Sequence, residues 1–171
     1  MVGTWLAAVI LFIFSFAFQI PNYSNNSSII EFTKVEMADD LVKIDYDDFE
    51  TDDEFMISFG ETFVNKYALY GDDVRVSIFK TDSTHITIEK EIRSQGRTRP
   101  SAKKYAKQVD IQEKVRNNTI LIPEYYRIDK GEKYRGQNVR YRIYIPKDKK
   151  VEVAKNMRWI IRNNDFSRDD D

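Results

Sequence analysis

Cysteine is absent from the 171 residues, which excludes disulfide staples, thiolate metal sites and thiol catalysis and leaves the redox compartment unreadable. Stability must come from packing. Glycine is scarce, six in all, and Gly96, Gly131 and Gly136 do not fall into a phosphate-cradling Walker or dinucleotide pattern. Histidine occurs once. His85 follows Asp82, Ser83 and Thr84, but a Ser-His-Asp triad needs groups that converge across a fold, so His85 reads as a turn residue. Neither sign of charge prevails: 27 lysines and arginines against 28 aspartates and glutamates leave a net charge of −1, which argues against a dedicated nucleic-acid binder. No metal, cofactor or small-molecule substrate is expected, and no catalytic set can be named. A glycosidase-like pair stays open in principle, because any two of the 28 acids could converge.

What is present begins with an apolar run. Residues 2–20 (VGTWLAAVILFIFSFAFQI) are 19 residues without a charge. At about 1.5 Å per residue such a helix spans close to the roughly 30 Å of bilayer hydrocarbon. Apolar side chains cover every face, where a surface helix would carry a polar stripe. A cleaved signal peptide fits less well, for want of a basic start and a small-x-small cleavage site. Pro21 ends the helix, and residues 22–28 (NYSNNSS) read as a solvated tether. The first base after the span is Lys34, a pattern that fits export of the long C-terminal part. Asn22, Asn25, Asn26 and Asn117 begin N-x-S/T sequons, which arise here from composition.

Beyond the tether, short β-rich runs alternate with turns, at residues 41–46, 55–59, 74–80, 85–92, 109–115, 119–122, 139–145 and 151–153. In HITIEKEI, Ile86, Ile88 and Ile92 share a face with Lys90. In VRYRIYI, Val139, Tyr141, Ile143 and Ile145 oppose Arg140, Arg142 and Tyr144. One short helix is predicted over residues 100–108 (PSAKKYAKQ), with Ala102, Tyr105 and Ala106 inward and Lys103, Lys104 and Lys107 exposed. The stretch 157–162 (MRWIIR) fits either period, and residues 163–171 are a polar tail. The expected class is mostly β: one N-terminal transmembrane helix (1–21), a tether and entry (22–40), a β-rich exported domain (41–162) and the tail. The domain is solenoid-like or, alternatively, a sandwich, with one short helix.

From residue 74 to residue 153 the features follow a recognisable order. Two strands (VRVSIFKT, HITIEKEIRSQGRT) lead into the basic helix (PSAKKYAKQV). A strand with an apolar end follows (IQEKVRNNTILIPEYY), then a basic connector and a strand ending in proline (KYRGQNVRYRIYIPKDKKVEV). This resembles the exported C-terminal β domain, called Toast-rack, of phage-shock-protein-C-like membrane proteins of Bacteroidota. The apolar run is similar to the last helix of that family's transmembrane region. The resemblance implies stacked rungs held outside the cytoplasmic (inner) membrane on a single pass, facing the periplasm, in proteins of envelope-stress responses. None of its motifs is catalytic. On that resemblance the sequence covers the last helix and the exported domain, either as a fragment of a longer protein or as a reduced member.

Charge is divided unevenly: residues 1–89 hold 5 bases and 16 acids, residues 90–171 hold 22 bases and 12 acids. Opposite signs make intramolecular or head-to-tail pairing an expectation. Residues 39–54 (DDLVKIDYDDFETDDE) carry nine acids against Lys43 alone. They read as a solvated acidic face, with a docking surface or a weak Ca²⁺ site as alternatives, although the EF-hand glycine and terminal glutamate are missing. The basic half interleaves Lys103, Lys104, Lys107, Arg127, Arg135, Arg140 and Arg142 with tyrosines. That pattern suits single-stranded nucleic acid, but a tethered exported domain meets anionic lipid headgroups instead. The expected interaction surface is Trp159, Ile161, Arg140, Arg142, Lys103 and Lys104. Near the end, Met157, Trp159, Ile160 and Ile161 form an apolar cluster, either at an exposed sheet edge that takes a partner or with Trp159 tucked back to cap its own domain. The functional expectation is a membrane-anchored, non-catalytic interaction or sensing module with a protein partner or self-association and with lipid around residues 2–20. The alternative is a structural subunit of a larger membrane assembly, using the small residues Gly3, Thr4, Ala7, Ala8 and Ser15; a hydrolase is the least favoured.

Overall fold

The computed structural model describes residues 23–47, 57–59, 62–157 and 161–164. The expected membrane span, Trp159, Ile160 and residues 48–54 of the acidic segment lie outside the described residues. Among those described, no helix is long and apolar enough to cross a membrane. The described residues are mostly β, with one α-helix.

Alternation builds the first sheet. In β6 (Val74–Thr81), Val74, Val76 and Ile78 are buried; in β12 (Asn138–Pro146), Val139, Tyr141, Ile143 and Ile145 are buried. Strand β7 (Ile86–Gly96) turns Ile86, Ile88 and Ile92 the same way. The register aligns these rows: Ile143 stands opposite Ile88 on one side and Ile78 on the other. The sheet order is β1-β7-β12-β6-β14, with β1 at Asn25–Val35 and β14 at Ile161–Asn164. Strands β6 and β7 follow each other in sequence, yet β12 lies between them, parallel to β6 and antiparallel to β7.

Two further sheets complete the fold. One has the order β13-β2-β10-β9: Lys150–Val153, Leu41–Asp47, Thr119–Pro123 and Lys114–Arg116. The other runs β3-β4-β5-β11-β8: Ile57–Phe59, Thr62–Val64, Ala68–Gly71, Tyr126–Asp129 and Val109–Asp110. All three feed one apolar cluster, which joins Val42, Ile44, Ile120 and Ile122 to Tyr126 and Ile128 and to the inner rows of the first sheet. At Gly71 an added Cβ would lie 2.3 Å from the Tyr126 ring, so only glycine lets that buried tyrosine approach.

Three expectations are corrected. Residues 25–35, read as tether and entry, form the eleven-residue strand β1, paired with β7 along its whole length from Asn25 opposite Gly96 to Val35 opposite Ile86. Asn and Ser are poor strand formers, and an existing partner strand overrides that preference. The single strand expected over 109–115 divides into β8 and β9, because Ile111 turns into the core and Glu113 into an ion pair. Met157, which one of the two readings of the terminal cluster puts at an exposed edge, is fully buried and belongs to the core.

Candidate interaction surface

The outer face of the first sheet carries a charge ladder. Arg142 is opposite Glu89 in register. It donates to Glu89 and, at 3.0 Å, to Glu91; Arg93 Nε donates to Glu91 Oε1 at 2.7 Å. Burial opposes the charge on Glu91, but hydrogen bonds and charge from Arg93 and Arg142 outweigh it and hold the carboxyl below its usual range. Tyr144 donates to Glu89 at 3.1 Å and stacks on Phe79. Arg142 is therefore committed to its own sheet. Arg140, half-buried, lines a groove of about 210 Å³ with Arg75, Ser77 and Arg142, and among the described residues it takes no ion pair. Arg75 is held by Asp73 at 2.9 Å. Lys114 with Asp47 at 2.6 Å, Lys147 with Asp82 at 2.9 Å and Lys90 with Glu31 at 3.0 Å join the basic half to the acidic one.

On the inner face, Lys90 interrupts the isoleucines of β7. Its ammonium meets Glu31 at 3.0 Å and Glu113 at 3.3 Å, and it donates to the Ile111 carbonyl at 3.2 Å. The Thr33 hydroxyl donates to Glu113 at 3.0 Å and the Tyr141 hydroxyl at 3.4 Å. Burial opposes ionisation of Glu113, yet its own backbone N–H, Lys90 and Thr33 bring its carboxyl below the ordinary value. Burial first, then the Glu113 charge, pushes the Tyr141 hydroxyl up. Glu31 and Glu113 escaped the sequence reading because they come from segments distant in sequence. The place of Lys90 on an apolar face was the available signal.

At one end of the sheet the helix α1 (Arg99–Ala106) crosses the end of β7. Thr98 caps it reciprocally with Ser101, and Pro100 occupies the first turn. Ala102 and Ala106 are fully buried, while Lys103, Lys104 and Lys107 are exposed as expected. The Ser94 hydroxyl donates to the Ala102 carbonyl at 2.6 Å, and a Cβ on Gly96 would come within 2.6 Å of the Ala102 nitrogen. The connector 130–137 reaches the same end: Gln95 N–H donates to the Arg135 carbonyl at 2.9 Å. The Arg135 guanidinium lies over Tyr23 and Tyr105, 5.2 and 5.6 Å from the ring centres.

At its free side β1 has no partner strand among the described residues. Ile30 is 51% and Phe32 67% exposed on it. On the opposite flank, Ile161 falls on edge strand β14, in register with Val76. His85 Nδ1 lies 3.1 Å from the Ser83 hydroxyl, while Asp82 is engaged by Lys147. In the acidic segment, Asp45 accepts from the Tyr46 N–H and Asp47 meets Lys114. No three His, Cys, Asp or Glu side chains converge among the described residues.

The structure thus brings the expected residues to different places: Arg140 and Arg142 to the outer face, Lys103 and Lys104 to the helix end, Ile161 to an edge. Comparison with curated proteins and with solved structures finds no match. One family model does match: the Toast-rack domain of the PspC C-terminal type, described as the ToastRack found in some PspC, over residues 63–171. The match begins within β4, although β1 and β2 upstream are hydrogen-bonded into the same sheets. It covers more than half of the chain, and the protein belongs to this family of PspC C-terminal Toast-rack domains.

Proposed function

We propose that the chain is a membrane-anchored, non-catalytic interaction or sensing module of an envelope-stress, PspC-like protein, held by residues 2–20 on the periplasmic side of the inner membrane. The family match carries this reading. The uncharged length of residues 2–20 supports the anchor. A solenoid-like stacking belongs to the same proposal. It is supported by parallel pairing between strands far apart in sequence, β2 with both β10 and β13, and β6 with β12.

The surface offered to a protein partner or a second copy is the side of β1 that has no partner strand among the described residues, beside exposed Ile30 and Phe32. That edge equally serves the second reading, a structural subunit of a membrane assembly. Sedimentation of the full chain in detergent, with and without Ile30→Lys and Phe32→Lys, tests the surface. Association that disappears in the double variant supports it; association that is unchanged sinks it. Turnover of any member of a glycan or peptide panel by the full chain overturns the non-catalytic reading.

A further inference from the structure

We infer that the end of the domain formed by α1, the start of β1 and the connector 130–137 rests on an anionic phospholipid surface and sets the domain's orientation on the membrane. The inference deepens the anchored reading and rests on it.

The first argument is reach. Asn25, where β1 begins, is five residues beyond Ile20, the last residue of the apolar run. Five residues span at most about 18 Å. The N-terminal end of β1 therefore stays close to the headgroups, whatever path the intervening chain takes. Asn25 is paired with Gly96 and donates from its side chain to the Arg97 carbonyl at 2.8 Å, so the helix end is tied to that same point.

The second argument is charge. Residues 92–109 contain six bases and no acid. Arg97, Arg99, Lys103, Lys104 and Lys107 are exposed, and among the described residues no side-chain ion pair occupies them. Arg99 opens the helix, where the helix dipole favours an acid, so the pattern works against the helix itself. Lys130, Lys133 and Arg135 approach from the connector, against Glu132. Asp72 and Asp73 precede β6 at this same end, where the Val139 N–H donates to the Asp73 carbonyl at 2.9 Å, but β12 lies between them and β7 and the Asp73 carboxylate is held by Arg75.

The third is side-chain type. Tyr23 and Tyr134, 40% and 44% exposed, border the basic cluster, and amphipathic rings of this kind favour the headgroup level. Screening limits attraction to about 8 Å at physiological salt, so only a surface held this close by the anchor gains from these bases.

The test places the full chain in nanodiscs of phosphatidylcholine alone and of phosphatidylcholine mixed with phosphatidylglycerol, then measures amine labelling. Lys34, nine residues along β1 from Asn25 and about 30 Å away, is the internal reference. Labelling of Lys103, Lys104 and Lys107 relative to Lys34 falls several-fold in the anionic discs and recovers in high salt. Arg97→Gln and Arg99→Gln, which leave those reporters in place, weaken the protection by about fivefold for each base removed. Retention in both discs with equal labelling overturns the docking alone. Recovery of the chain free of lipid overturns the anchor and the docking with it.

Discussion

Lys90 stands in a row of isoleucines, buried, with Glu113 and Glu31 as its counter-charges. Replacing one partner of a buried pair strands the other in a poor solvent for charge. Lys90→Ala should cost about 3–5 kcal/mol, read as a lower urea midpoint, whereas Lys90→Met combined with Glu113→Leu should cost much less. Acid should reach the same group. The folded-state carboxyls of Glu113 and Glu91 lie below the ordinary 4.5, so their contribution is fully present above that value and is lost as pH falls through the lower folded value. Urea midpoints should drop below about pH 4.5, and Glu113→Gln should flatten that drop. At Gly96 an added methyl meets helix backbone at 2.6 Å. Gly96→Ala should cost about 1–3 kcal/mol.

Among elements, α1 depends on its ends. Thr98→Ala removes the oxygen that accepts from Ser101 N–H and should cost about 1 kcal/mol in thermal unfolding. The helix was legible in the sequence because proline, alanine spacing and exposed lysines agree, and the observed Arg99–Ala106 lies within two residues of the expected bounds. Strands β6, β7 and β12 were legible for the same kind of reason, since their period-2 apolar rows match burial, although Glu91 on the outer row of β7 is itself buried beneath Arg93 and Arg142. Strand β1 was not. Its first residues, NNSS, carry no strand signal, and their conformation comes from eleven register partners on β7. Strands β5 and β11 are four residues each, too short to show a period, and they are fixed by pairing with one another. Of the candidate surface, the lysines of α1 could be placed from sequence. The partners of Arg142 could be placed only once β12 was seen against β7.

The whole molecule interlaces its two charge halves. Strand β2, from the acidic half, lies between β10 and β13 of the basic half, and β12 lies between β6 and β7. A chain beginning at Phe63 would retain the family match but lose β1 and β2, leaving Ile120, Ile122 and Val153 without their neighbours Val42 and Ile44. Such a chain should not unfold cooperatively in calorimetry; a sharp transition like that of the full chain would show that β1 and β2 are dispensable. The central claim, that this Toast-rack domain is held by residues 2–20 outside the cytoplasmic membrane, is tested most directly in spheroplasts carrying the full chain. Alkaline carbonate should leave the chain in the membrane pellet, and protease added outside should remove the domain epitope without lysis. A chain released by carbonate, or an epitope digested only after lysis, would contradict it.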